Sequence, residues 1–77
     1  MERREWLLIT FAATTAAMAM ERLCRERDLP GRLIPVPGSL RAGCGLCWRA
    51  PMESRAALET LVTEERLAVD GIYVRTM

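Results

Sequence analysis

The segment Glu5 to Phe11 is a run of aromatic, aliphatic and β-branched residues with little polarity. Such a run reads as a central strand covered on at least one face. From Thr14 the period changes. Ala16, Ala17, Met20, Leu23, Cys24 and Arg27 recur at helical spacing, and all but the last make one apolar stripe. Alanine and methionine favour the helix, and Thr14, in preference to Thr10, is placed to cap it. Glu21 and Arg25 stand four apart in the favourable orientation on the polar side. Asp28-Leu29-Pro30-Gly31 ends the helix, because proline cannot continue it and glycine accepts the turn.

Arg32 to Val36 is a second strand, with Pro35 arguing for a sheet edge or a strand end. Pro37-Gly38-Ser39 is a turn. Leu46 to Ala50 is a third strand, with Leu46 and Trp48 on one face and Cys47 and Arg49 on the other. Pro51 opens a second helix from Met52 or Glu53 to Glu65, whose apolar face is Ala57, Leu58, Leu61 and Val62. Asp70-Gly71 reads as a turn before a short fourth strand, Ile72 to Val74. Strand, helix, strand, strand, helix, strand is the ferredoxin-like βαββαβ order. The expected fold is α+β: one domain over residues 1–77, a small four-stranded antiparallel sheet and both helices on one of its faces. The other face is left uncovered, which makes a homodimer physically reasonable.

Composition narrows the chemistry. The apolar fraction of 51% suits a folded chain, and the net charge is only +1. All 11 basic residues are arginine, and lysine, histidine, asparagine and glutamine are absent. Leu29 to Met52 holds three arginines and no acid, a modest attraction for anions. A nucleic-acid binder would show a denser basic face, so nucleic acid is not expected as a partner. Trp6 to Met20 is uncharged, and Ala17-Met18-Ala19 resembles a signal cleavage site. The stretch is nevertheless short for a membrane span, and three threonines dilute it. A buried strand and an alanine-rich helix is the better reading, with no membrane partner. Three cysteines is an odd, small count, which suits a reducing cytoplasm better than a secreted disulfide scaffold. Three thiols without histidine also fall short of a zinc site, so no metal and no cofactor are expected.

The candidate chemistry sits in Gly43-Cys44-Gly45-Leu46-Cys47, between Arg41 and Arg49. Thiolate is the reactive form of cysteine, and nearby cations favour it. Cys44 lies between Gly43 and Gly45, which permit unusual dihedrals and close approach of a partner. Backbone amides of such a turn can form an anion nest. The opposing reading is a free cysteine buried as a small hydrophobe. Cys47 makes a Cys-x-x-Cys spacing with Cys44, as in dithiol redox proteins. In a strand residues three apart point to opposite faces, which hinders a disulfide, whereas a turn at Gly45 would restore the pairing. Cys24 belongs to the core stripe of the first helix, and Trp48 and Tyr73 read as packing aromatics. Three functions fit these residues: a thiol carrier on Cys44, a dithiol redox protein on Cys44 and Cys47, and a non-catalytic interaction or dimerisation domain.

Several of these pieces, in this order, resemble a known family. They are Thr10-Phe11 at the end of the first strand, then Ala17, Glu21 and Leu23 on the helix. Leu33-Ile34-Pro35-Val36-Pro37, Cys44-Gly45-Leu46, and a short strand and Pro51 before the second helix follow. From Trp6 to Tyr73 the chain resembles the small selenium/sulfur carrier-like proteins, also described as a domain of unknown function, DUF3343. The resemblance implies a co-substrate more than an enzyme. Cys44 would hold a persulfide or perselenide received from a donor such as a cysteine desulfurase and deliver it to an acceptor protein. Two positions depart from the family pattern. Ala12, Ala13 and Thr15 stand where members often carry a histidine, and Cys47 stands where a small residue is common.

Overall fold

The structure is a computed structural model that describes residues 3–38, 40 and 43–77. Four strands and two helices follow one another as β1 (Glu5–Phe11), α1 (Thr14–Glu26), β2 (Arg32–Pro35), β3 (Leu46–Pro51), α2 (Arg55–Glu65) and β4 (Val69–Thr76). The sheet order is β2-β3-β1-β4, with every neighbouring pair antiparallel. This is the expected ferredoxin-like α+β arrangement, with β1 central and β4 beside it.

Strand alternation divides the sheet. Leu7, Ile9 and Phe11 of β1, with Trp48 and Ala50 of β3, join Ala16, Ala17, Met20, Leu23 and Cys24 of α1 and Leu58 and Leu61 of α2 in one buried core. Both helices therefore cover the same face. Trp6 to Met20 is a strand followed by a helix, and among the described residues no helix is long and apolar enough to cross a membrane.

Three details differ from the sequence reading. Ala13, not Thr14, is the N-cap of α1, and no side-chain hydrogen bond caps it. The second helix begins with a 3₁₀ turn over Met52–Ser54 before α2 proper, and of its expected apolar face Ala57 is exposed. Asp70-Gly71 is not a turn but part of an eight-residue β4, at a register shift opposite Thr10 and Phe11. A Cβ on Gly71 would collide with the Tyr73 ring, so the missing side chain makes room for an aromatic two residues along the same strand. Proline at Pro35 sits on the edge strand β2, as its missing donor requires.

Candidate functional site

The β2–β3 connection carries the Gly43–Gly45 turn to the end of the sheet where β1 passes into α1. A Cβ built on Gly43 would lie 2.6 Å from the Ala12 carbonyl oxygen, so this turn presses against the β1–α1 junction. Gly45 has φ +76, a left-handed conformation that L side chains rarely adopt. Its carbonyl accepts from the Val36 amide at 3.0 Å, which ties the turn to the end of β2.

Cys44 sits between these glycines and is half-buried. Its sulfur lies 3.4 Å from the Leu46 N–H, which donates to it, and its S–H donates to the Leu46 carbonyl at 3.3 Å. The sulfur is thus held against the first residue of β3 by two backbone groups. The side chain also packs against the edge of the core.

Cys47 and Cys24 are fully buried. Cys47 faces away from the helices, on the side that strand alternation leaves open. It is shielded all the same, because Ile34 and Thr10 are its cross-strand neighbours and Arg49 is the next residue on its face. Burial pushes its thiol up, the neighbouring Cys44 adds to that, and the Arg49 charge opposes it. Cys24 is where its helical stripe puts it, 3.6 Å from the Met20 sulfur. Burial drives its thiol up to about 11, and Arg27 pulls weakly the other way. All three thiols are free.

Arg41 lies outside the described residues. Arg49 turns onto the helix-free face, where its guanidinium lies 4.4 Å from the centre of the Trp6 ring. Its charge is felt at Cys47, its neighbour on that face. The Arg4 guanidinium is also on Trp6, at 4.6 Å, the two residues standing one strand period apart. Trp48 is a core residue, as expected, but its indole nitrogen is buried without a hydrogen-bond partner.

This arrangement offers one accessible thiol on a tightly held turn, at the sheet end opposite Trp6. The chain matches the family model described as "Putative Se/S carrier protein-like" over residues 6–74. No curated protein and no solved structure matches it.

Proposed function

The chain belongs to the Se/S carrier protein-like family, and we propose from this that it is a chalcogen carrier whose working thiol is Cys44. The observation that supports the choice of thiol is differential access. Cys44 is half-buried in a glycine turn, whereas Cys24 and Cys47 are fully buried and their pKa values are raised. Thiol exchange needs a thiolate that a second protein can reach.

The loading step balances as an exchange. The Cys44 thiolate attacks the terminal sulfur of a persulfide on a donor protein. A new S–S bond forms on Cys44, the donor's S–S bond breaks, and the donor leaves as thiolate. The sulfane sulfur keeps its oxidation level, so no external oxidant or reductant takes part. Delivery is the same exchange onto an acceptor nucleophile, and selenium follows the same course. The Leu46 amide is placed to hydrogen-bond the Cys44 sulfur. The glycines beside it keep bulk away from an approaching donor.

Intact mass spectrometry after incubation with a cysteine desulfurase and cysteine tests the proposal. A dithiothreitol-sensitive gain of one sulfur in the wild type, absent from Cys44→Ser, is the expected result. No gain, or an equal gain in Cys44→Ser, rejects it. The dithiol alternative gains little from the structure, because Cys47 is enclosed on its face of the sheet and its pKa is raised.

A further inference from the structure

The helix-free face of the sheet has a charge pattern that the Cys44 turn does not use. Strand register sorts its residues into rows. The row nearest the Cys44 turn is Ile34, Cys47, Thr10 and Gly71, which is neutral. The next is Arg32, Arg49, Leu8 and Tyr73, and the last is Pro51, Trp6 and Arg75. No aspartate or glutamate occupies a paired position in any row. Among the described residues no carboxylate lies within ion-pairing distance of Arg32, Arg49 or Arg75, and the Arg4 contact with Glu53 is long, at 3.7 Å.

The arginines are also pre-set. Arg4 and Arg49 lie on the Trp6 ring, and Arg75 lies 5.7 Å from the centre of Tyr73. Stacked guanidiniums lose less freedom when their N–H forks are engaged. The Arg49 Nε is buried and has no hydrogen-bond partner. Beside it, Trp6, Pro30, Gly31, Arg32, Arg49 and Pro51 line a cleft of about 250 Å³. That is room for one acidic side chain between two guanidiniums.

We propose that this face is a docking surface for a carboxylate-rich segment of a partner protein, with one carboxylate seated between Arg32 and Arg49. Arginine forks match carboxylates in two-point geometry, and arginine, tryptophan and tyrosine are the residues that dominate protein interfaces. A second copy of this chain is the poorer occupant. Two copies face to face would set Arg32, Arg49 and Arg75 against the same residues, a like-charge arrangement that costs affinity. Single-stranded nucleic acid is also the poorer fit, since it needs free aromatic platforms for its bases and the two here already carry guanidiniums. Arg49 is five residues from Cys44, at most roughly 17 Å of extended chain, and the neutral row at Cys47 lies between them. A protein docked there is therefore within reach of the thiol, although the docking argument does not depend on the carrier reading.

The test titrates the full chain at low ionic strength with a short poly-glutamate peptide, and in parallel with an oligouridylate of equal charge, following the tryptophan fluorescence to which Trp6 on this face contributes. Saturable binding of the peptide is expected, weakened roughly tenfold or more in Arg32→Glu and in Arg49→Gln. Arg22→Glu and Arg55→Glu, on the exposed faces of α1 and α2, are expected to bind as the wild type. Circular dichroism establishes that each variant is folded, and the exposed Arg32 carries the test if Arg49→Gln is not. Failure of the peptide to saturate overturns the proposal, as does equal weakening by the helix variants. Tighter binding of the oligouridylate overturns it in favour of nucleic acid. A dimer in sedimentation that Arg32→Glu dissociates overturns it in favour of self-association. Iodoacetamide labelling of Cys44 in the same samples separates this surface from the carrier reading. An unchanged labelling rate in Arg32→Glu is expected, and a parallel fall would assign the lost binding to a disturbed turn.

Discussion

At the scale of single residues, the three thiols differ in access and in burial cost, and each difference has a measurable outcome. Residue-resolved alkylation with iodoacetamide at neutral pH is expected to label Cys44 first, with Cys47 and Cys24 reacting only as the chain opens. Labelling of Cys47 before Cys44 would remove the main physical support for Cys44 as the carrier. The buried Cys24 also sets an alkaline limit on stability. Its thiol ionises near 9.0 when exposed and near 11 in the fold, so the unfolded chain releases that proton first. The stabilisation is whole below pH 9, falls as pH rises from 9 to 11, and levels off above. By linkage it amounts to roughly 2–3 kcal/mol for this shift, and Cys47 pushes in the same direction. Urea denaturation across that range is expected to show the midpoint falling, with a shallower fall in Cys24→Ala. Cys24 was legible from its stripe with Met20 and Leu23. The burial of Cys47 was not: alternation gives the right face, but that face excludes water through Ile34, Thr10 and Arg49, which meet Cys47 only through strand pairing or strand position.

At the scale of elements, period and punctuation carried most of the fold. β1, α1, β2 and β3 lie within a residue of their expected bounds, because aliphatic runs, an alanine-rich stripe and prolines are local signals. β4 was underestimated for an equally local reason. Asp-Gly is a strong turn signal, and only the Tyr73 ring folded over Gly71 explains a glycine inside a strand. A similar steric logic governs the α1–β2 link. Gly31 has φ +140, and a Cβ there would collide with the Trp48 indole. Gly31→Ala is expected to destabilise the fold by about 1–3 kcal/mol through overpacking and backbone strain. Equilibrium urea unfolding checks the loss, and a red shift of tryptophan emission in a Trp6→Phe background would locate it at Trp48. An alanine variant as stable as the wild type would mean that the indole has another place to go.

At the scale of the whole molecule, the two helices are joined at one end by Arg27, whose guanidinium reaches Glu64 and Glu65 at 2.7 Å each. This exposed clamp between the end of α1 and the end of α2 links segments far apart in sequence. Arg27→Ala is expected to lower the thermal midpoint slightly at low salt, with the difference shrinking as salt is added. A salt-independent loss would point to packing of the arginine stem instead. The two margins of the sheet also differ. β2 is four residues long and ends in Pro35, which offers no N–H to a newcomer. β4 is an eight-residue margin with no proline, its outer backbone groups unclaimed by any other strand of the sheet. A foreign extended peptide would therefore find a template along Val69–Thr76 and almost none along Arg32–Pro35. Crowding or overexpression of this chain would be expected to start fibrillar growth from that margin, with a proline substituted at an outward-pointing amide of β4 as the remedy.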